Sequence, residues 1–260
     1  MIDLKSFPPY LQIEVASHIA TITLTRPEFE NRFNEFVGTN EHGELRRFMR
    51  EAGDDPDIRV VILTGAGKEW FSAGTLPANL NSEEQHKTGS KDAEVLQLVD
   101  HIHWDINWVR EIIEYKKPLI TALNGNVAAK PLTWAFLSDF CIAERHVKMR
   151  DMHVVNGISS SSCAYIWPKS TSLMKAKKLM MTSQWFDADT ADKMGLITEV
   201  VETGMSKSRA LELARELAGF RPETLYLTKR YLNANLVADY NEIYVPAFIS
   251  MISMLPRKST

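Results

Sequence analysis

The stretch RVVILTGAGKEWFSAG, residues 59–74, opens with a continuous apolar run and leaves it through closely spaced glycines. An apolar run without alternation is typical of a strand that is buried on both faces in a parallel arrangement. Gly65 and Gly67 mark the end of this strand. The stretch therefore predicts a buried strand within a mixed core of strands and helices.

The segments on either side extend this α/β pattern. Alternating apolar residues over 11–25 predict a hairpin. Apolar positions at three- and four-residue steps over 93–115 predict an amphipathic helix. The runs LITALNG (119–125) and DFCIAE (139–144) predict two further strands, and a short helix from Pro131 between them makes a right-handed crossover. The fold class is therefore α/β with a single core.

The remaining patterns are mostly helical. A helix is expected near residues 40–52, and helical patterns dominate the chain beyond residue 170. Pro222 is suited to the first turn of one helix, whereas Pro246 interrupts the last one. Residues 75–92 are polar without strong periodicity, which predicts a surface loop.

Composition limits the functional classes. The chain has 260 residues, of which 45% are hydrophobic and 24% charged, with a formal net charge of −3. This length gives one large domain with a sizeable core, or such a domain with a small appendage. The pI near 6.2 leaves no broad basic surface, so a nucleic-acid or membrane partner has little electrostatic support. A small molecule is the expected partner.

Cysteines and histidines give no metal pattern. Cys141 and Cys163 form neither a metal cluster nor a disulfide framework, which fits a reducing cytoplasm. His101 and His103 are two residues apart on a predicted helix and so lie on different faces. No metal site is expected, and a cytoplasmic protein is expected because the N-terminus has no apolar targeting segment. The other histidines outside position 153, which are treated as surface or turn residues, are His18, His42, His86 and His146.

Five blocks, taken in order, resemble one known family. They are ITLTRPE (22–28), DPDIRVVILTGAGKEWFSAG (55–74), KPLITALNG (117–125), SDFCIAE (138–144) and MTSQWFDADTADKMGLITEVV (181–201). In order and spacing they are similar to the crotonase superfamily, which includes enoyl-CoA hydratases and isomerases. The resemblance implies a crotonase-like (ClpP/crotonase) spiral of ββα units with a helical C-terminal region.

The resemblance also implies an organisation and an assembly. Residues 1–200 would form the crotonase core domain, and residues 201–260 a helical C-terminal trimerisation region. A homotrimer or hexamer follows from this. The family uses no cofactor, although a CoA thioester is a possible carrier of the substrate. Lys229 lies where the family often has a basic residue for the CoA phosphates.

The shared chemistry of the family is the stabilisation of an enolate by two backbone N–H groups. The resemblance assigns these donors to Thr75 and Lys130. Backbone donors need no particular side chain, so Lys130 and Pro131 can stand where the family has glycines. The helix from Pro131 would add the positive end of its dipole beside the enolate oxygen. Lys130 itself is either an electrostatic partner of the enolate or an ordinary solvated lysine, with a Schiff base as a further alternative.

The acid and base positions depart from the hydratase pattern. The two glutamates of a hydratase fall here on Thr133 and His153. A threonine hydroxyl is no general base near neutral pH, whereas histidine is a suitable one. Orientation of His153 is assigned to Ser161 or Ser162, because a run of serines replaces the expected carboxylate. Asp151 and Asp139 are two further sources of a carboxylate, with Asp139 more suited to a structural turn.

A smaller branch fits these departures, the β-diketone hydrolases typified by 6-oxocamphor hydrolase. Its basic residue before proline, its histidine followed by G-I and its W-P pair are matched by Lys130-Pro131, His153 with Gly157-Ile158, and Trp167-Pro168. Carbon-carbon bond hydrolysis of a β-diketone is the first hypothesis. The alternatives are a CoA-thioester hydratase or isomerase with a non-standard acid and base, and a non-catalytic protein of this fold.

Aromatic residues are predicted to line an apolar substrate pocket. The candidates are Trp134, Phe71 and Trp167, together with Thr133 at the lost glutamate position. Trp134 directly follows that position and favours a compact hydrophobic substrate. Cys163 is expected to be packed rather than reactive.

Overall fold

The computed structural model of the protein describes residues 2–33, 40–75 and 106–253. His101, His103 and most of the loop and helix predicted over 75–115 lie outside the described residues. Residues 106–113 are helical, in agreement with the last turns of that helix. The segment beyond residue 253 lies outside the description as well.

The strands of the described residues form two sheets. They are β1 (Leu11–Ala16), β2 (Ile19–Leu24), β3 (Val60–Gly65), β4 (Trp70–Ser72), β5 (Leu119–Leu123), β6 (Asn126–Ala128), β7 (Phe140–Glu144), β8 (Lys148–Arg150), β9 (Phe186–Asp187) and β10 (Glu199–Val201). The first sheet has six strands in the order β1-β2-β3-β5-β7-β10, and the second has four in the order β4-β6-β8-β9.

The first sheet combines one hairpin with parallel strands. β1 and β2 pair antiparallel, with Ala16 opposite Ile19, and the turn between them places Ser17 and His18 at φ of 50° and 66°. From β2 onward the pairs are parallel, with Ile22 opposite Leu63 between β2 and β3. The predicted hairpin and the predicted buried strand at 59–65 are confirmed.

The helices surround these sheets. In chain order they are α1 (Glu41–Asp54), α2 (106–113), α3 (Lys130–Leu137), α4 (Ser162–Ser170), α5 (Leu173–Thr182), α6 (Ala188–Lys193), α7 (Ser206–Ala218), α8 (Pro222–Leu232), α9 (Ala234–Asp239) and α10 (Val245–Ser253). Short 3₁₀ turns occur at Leu4–Ser6, Pro27–Phe29 and Val154–Asn156, and a π-helix joins α9 to α10 over Tyr240–Tyr244.

The central strands of the first sheet are buried on both faces. On one face, Val60 and Ile62 of β3 pack with Ala210 and Ala214 of α7, whose four-residue spacing places both small side chains on one side of the helix. On the other face, Val61 and its neighbours join the larger core cluster, which also contains residues of α1, α2 and α3. A continuous apolar strand is what such double burial requires.

The C-terminal helices share the large core. Tyr240, Tyr244 and Phe248 are 3%, 0% and 2% exposed and belong to the same cluster as the strands. Pro246 lies in the first turn of α10, so the interruption expected there takes the form of the preceding π-helix rather than a break. The division into residues 1–200 and 201–260 stays a prediction.

One sequence expectation about burial is wrong. His42, assigned to the surface, is fully buried, with its ring centroid 5.8 Å from that of Phe33 and 5.2 Å from that of Trp108. Aromatic rings from distant parts of the chain therefore enclose a residue that looks exposed in the local sequence.

Candidate active site

Three parallel strands of the second sheet end at a common edge. β4 pairs with β6 so that Ser72 lies opposite Val127, and β6 pairs with β8 so that Ala128 lies opposite Arg150. The chain leaves these strands toward Thr75, Lys130 and His153. The three predicted catalytic positions therefore each follow a strand that ends at this edge. Open α/β sheets bind ligands at the edge formed by the carboxyl ends of their strands.

The loops that follow β4 and β6 are in direct contact. Gly74 has φ of 93°, and a Cβ built on it would lie 2.9 Å from Cβ of Ala129 and 3.2 Å from the carbonyl oxygen of Ala128. That distance is too short for two methyl groups, so glycine is required at position 74. Thr75 and Lys130, each one residue further on, are therefore held on two loops that touch.

Hydrogen bonds set the direction of both peptide units. The carbonyl of Gly74 accepts from the N–H of Phe33 at 3.1 Å, and the carbonyl of Ala129 accepts from that of Leu132 at 3.0 Å. In a trans peptide the N–H points away from the preceding carbonyl. The amides of Thr75 and Lys130 are therefore directed away from those two acceptors, and Lys130 is also the first residue of α3.

The imidazole of His153 is bonded to a buried carboxylate. Nδ1 of His153 hydrogen-bonds Oδ1 of Asp151, and the N–H of His153 donates to the same oxygen at 3.2 Å. The Asp151 side chain is 1% exposed and that of His153 is 16% exposed. Since an ionised carboxylate only accepts, Nδ1 carries the proton and Nε2 is the basic nitrogen of the neutral ring.

The surroundings keep Asp151 ionised. Burial alone would raise the pKa of Asp151, but the hydrogen bonds and charge of His153 outweigh it and lower that pKa below its ordinary value. The backbone of Asp151 is held as well, because the hydroxyl of Ser183 donates to its carbonyl. A fixed, charged carboxylate stabilises an imidazolium at His153.

The serines do not orient His153 as the sequence predicts. The hydroxyl of Ser161 hydrogen-bonds Sδ of Met251 at 3.7 Å, and that of Ser162 hydrogen-bonds Oγ1 of Thr133 at 2.7 Å. Asp151 makes the orienting contact instead. A sequence signal for it exists, since an acidic residue stands two positions before the histidine.

Thr133 lies in a closed polar cluster. Its side chain is fully buried, and besides Ser162 it lies 3.7 Å from Sγ of Cys163. Burial first, and then the negative charge of Asp151, raise the pKa of the Cys163 thiol well above its ordinary value. Cys163 is therefore a packed thiol, as expected. The first glutamate position of a hydratase is here an uncharged hydroxyl.

Trp134 belongs to an aromatic cluster beside Lys130. Its ring lies 6.0 Å from that of Trp108 in a stacked arrangement, and 5.8 Å and 6.5 Å from the rings of His42 and Phe33. Nζ of Lys130 lies 5.7 Å from the centre of the Trp108 ring. The Trp134 side chain is 1% exposed and borders a cavity between α1 and α2.

The structure separates the other two predicted pocket aromatics from this cluster. Phe71 of β4 is fully buried in the large core. Trp167 of α4 is fully buried as well, with its ring 5.6 Å from both Phe136 and Phe186. Both side chains serve packing in this conformation, because each is enclosed by core residues.

Lys229 has a structural role. Its ammonium group donates to Oδ2 of Asp139 at 2.7 Å and to the carbonyl of Lys117 at 3.2 Å, and it is 9% exposed. The same carboxylate accepts from the N–H of Leu119 at 2.8 Å. Asp139 is thus the structural residue that the sequence suggests, whereas the prediction of Lys229 as a contact for CoA phosphates does not fit its buried ion pair.

Two further observations concern the described part of the chain. Across residues 2–33, 40–75 and 106–253, histidine, cysteine, aspartate and glutamate side chains form no group of three that would hold a metal ion. Among the helices of the same ranges, none combines the length and apolar character that crossing a membrane requires.

The double sheet and the loop contact define an α/β protein of the crotonase type. The enoyl-CoA hydratase/isomerase family model matches residues 14–253, and the chain belongs to this family. Enzymes of the family act on small-molecule CoA thioesters without a further cofactor.

Two curated relatives illustrate the range of the family. The (E)-benzylidenesuccinyl-CoA hydratase of Thauera aromatica is 26% identical over 219 residues, covering 84% of this chain and 80% of the relative. The 1,2-epoxyphenylacetyl-CoA isomerase of Escherichia coli strain K12 is 29% identical over 227 residues, covering 86% of this chain and 82% of the relative.

A solved structure agrees in fold. An enoyl-CoA hydratase/isomerase from Mycobacterium paratuberculosis superposes with a TM-score of 0.82 at 24% identity, covering 97% of this chain and 96% of the other. At this level of identity the likeness concerns the fold alone.

Proposed function

We propose that the protein is a hydratase or isomerase acting on a CoA thioester through an enolate. The observation that carries this proposal is the contact between the loops that hold Thr75 and Lys130, where Gly74 leaves no room for a second methyl group beside Ala129. Two amides on touching loops at a strand-end edge are suited to bind one oxygen as it gains negative charge. The family match and both curated relatives support a thioester as the substrate.

His153 and Asp151 are the proposed proton-transfer pair. In a hydration, Nε2 of His153 takes a proton from water while the oxygen adds to the β-carbon of an unsaturated thioester. The N–H groups of Thr75 and Lys130 hold the resulting enolate oxygen. The imidazolium, stabilised by Asp151, then returns the proton to the α-carbon, so that one water is added overall.

The same pair suits a double-bond isomerisation. His153 would remove the α-proton of the thioester and return it at the γ-carbon after the enolate has formed. This needs a single acid-base group, which fits a site where Thr133 replaces the other carboxylate. Isomerisation therefore requires less of this site than hydration does.

Hydrolysis of a β-diketone is the second candidate, and the Asp151–His153 hydrogen bond favours it. His153 would activate water for attack on one carbonyl, and the carbon-carbon bond would break. The amides of Thr75 and Lys130 would hold the departing enolate, which then takes the proton at carbon. The sequence similarity to relatives that act on CoA thioesters ranks this candidate second.

A substrate panel tests the order of these candidates. Purified protein is incubated with crotonyl-CoA, with a 3-enoyl-CoA and with cyclohexane-1,3-dione, and each reaction is followed by absorbance and mass spectrometry. Turnover of the thioesters alone supports the proposal, and turnover of the diketone alone replaces it with the second candidate. An inert protein across the panel contradicts both and favours a non-catalytic role.

Assembly and location follow as further proposals. We propose a homotrimer or hexamer built through residues 201–260, since α8 and the loop before it expose large apolar side chains. Tyr231 and Leu232 are 76% and 78% exposed, and Phe220 is 51% exposed. Burial of such side chains favours association. A cytoplasmic location stays a prediction from the two unpaired cysteines.

A further inference from the structure

A cavity of about 280 Å³ lies between α1 and α2, behind the aromatic cluster. Its inner lining comes from Met49, Gly53, Ile112, Tyr115 and Trp134. A cavity of roughly 150 Å³ is enough to hold benzene in another protein. The space between these helices is therefore large enough for a substituted single ring, and small for a CoA thioester.

Two lining residues have buried polar groups that lack a partner. The hydroxyl of Tyr115 and the indole N–H of Trp134 make no hydrogen bond within the part of the chain that the structure describes. Tyr115 is 8% exposed and Trp134 is 1% exposed. A buried donor without an acceptor is costly in free energy. An acceptor oxygen that enters the cavity and reaches either donor would remove that cost.

The rim of the cavity is electrically balanced. It carries three basic and three acidic residues, namely Arg46, Arg50, Lys116, Asp54, Glu111 and Glu114. Glu111 accepts from Arg46 at 2.8 Å through both oxygens and lies 3.6 Å from Arg50, while Lys116 pairs with Asp54. Glu114 pairs with Arg110, which is outside the lining. Because each of these charges has an oppositely charged partner, the rim favours an uncharged ligand over an ion.

Gly53 keeps the space open. It lies in the last turn of α1, and its backbone does not have the positive φ that would call for glycine. A Cβ at this position would lie 3.3 Å from Cε2 of Tyr115. Glycine inside a helix is less stable than alanine. The missing side chain leaves the wall of the cavity at Tyr115 uncovered.

We propose that this cavity is a binding site for a small uncharged carbonyl compound, separate from the loops of Thr75 and Lys130. The apolar lining contacts the hydrocarbon part, and Tyr115 or Trp134 donates to the carbonyl oxygen. Trp134 also lies on α3, the helix that begins at Lys130, and packs on Trp108 beside the lysine ammonium. Trp134 thus connects the cavity to the helix that carries Lys130.

A titration with cyclohexanone tests the site directly. Methyl-labelled protein is observed by NMR, because Met49 and Ile112 supply reporter methyl groups in the lining. The expected result is a saturable shift of these two signals, with the methyl of Ile142, in the core on the other face of the sheet, unchanged. No saturable shift at Met49 and Ile112, or a shift confined to other regions, overturns the proposal.

Variants and a matched ligand separate the contribution of the open space at Gly53 from that of the Tyr115 hydrogen bond. Gly53→Leu should weaken cyclohexanone binding at least tenfold by filling the cavity. Tyr115→Phe should weaken it about 2- to 10-fold, the effect of one hydrogen bond, and leave methylenecyclohexane, which lacks the oxygen, unaffected. Tyr165→Phe, a buried tyrosine outside the lining, is the control. Unchanged binding in Gly53→Leu contradicts the site, as does an equal loss for both ligands in Tyr115→Phe.

The proposed catalytic function is tested independently. His153→Ala should bind cyclohexanone as the original protein does, because His153 is absent from the lining. If that variant loses binding, the ketone occupies the proton-transfer site and the cavity proposal fails, while the catalytic proposal stands. If the substrate panel is inert but the Met49 and Ile112 shifts occur, the catalytic proposal fails and the cavity proposal stands.

Discussion

The two sheets differ in strand length and in what they carry. β1, β2 and β3 each have six residues, and Val60–Leu63 of β3 are fully buried. The strands of the second sheet have two or three residues. Thr75, Lys130 and His153 nevertheless follow the ends of its parallel strands. The long sheet supplies buried area and hence stability, whereas the short sheet supplies positions for chemistry, so substitutions in the two should separate stability from activity.

The largest effect is expected at the end of β8. His153→Ala should lower kcat about 100- to 10,000-fold on the substrate that the panel identifies, since a positioned acid-base group contributes that much. The melting temperature should fall as well, because Asp151 is then a buried carboxylate without its imidazole partner, so kcat is compared per folded molecule at low temperature. His146→Ala, an exposed histidine bonded to Thr203, is the matched control. An active His153→Ala would remove the proposed base.

The loop contact gives the next effect. Gly74→Ala should lower kcat about 100- to 1,000-fold, the range measured for loss of one oxyanion donor, because the added methyl pushes the Thr75 loop away from Ala129. Gly204→Ala is the control, since Gly204 has φ of 87° but no atom within 4 Å of a built Cβ. Both variants lose backbone freedom, so equal kinetics in the two would contradict a role for the contact.

A substitution in the first sheet should lower stability and leave kcat nearly unchanged. Ile62→Ala should lower the free energy of unfolding by about 3 kcal/mol, because it leaves a cavity beside α7. The kcat per folded molecule should be nearly unchanged. Urea unfolding measures the first quantity and initial rates at low temperature the second. Val15→Ala on β1, where the side chain is 39% exposed, is the control. A large fall in kcat for Ile62→Ala would contradict the assignment of stability to the first sheet and of chemistry to the second.

The smallest effect concerns pH. The pKa of Asp151 is lower in the folded chain than its ordinary value, so the unfolded chain binds more protons and stability rises with pH through this range. The stabilisation is present above an unfolded pKa of about 3.9 and is lost as pH falls through the folded pKa. Asp151→Asn should flatten this part of the stability curve. Unfolding of both proteins between pH 2 and 6 is the measurement, and parallel curves would contradict it.

The first sheet could be predicted because its strands carry their own pattern. The hairpin alternates, and β3 is a continuous apolar run. The second sheet could not, since strands of two or three residues are too short to show a period. Trp70–Ser72 pairs with a segment more than fifty residues away, and no local signal reports such a pairing.

The site was predictable in part. The resemblance predicted three positions, Thr75, Lys130 and His153. The structure places each of them after a strand that ends at the same edge of the second sheet. The contact of Asp151 with His153 depends on the turn that begins at Val154, which folds the ring back onto a carboxylate two residues earlier. The burial of His42 depends on rings contributed by α2 and α3. The burial of His42 therefore arises from tertiary packing, whereas the contact of Asp151 with His153 is local in the sequence.

Ala129 has φ of 58° and ψ of −133°, a region that residues other than glycine rarely occupy. Its methyl group faces Gly74 across the loop contact, and the gap between the two backbones has room for one Cβ branch only. While Ala129 keeps its branch, position 74 must therefore be bare, and the φ of 93° at Gly74 disfavours a side chain there independently. Two stretches of chain that are far apart in the sequence are thereby tied together, because the methyl group at 129 restricts which residue position 74 tolerates.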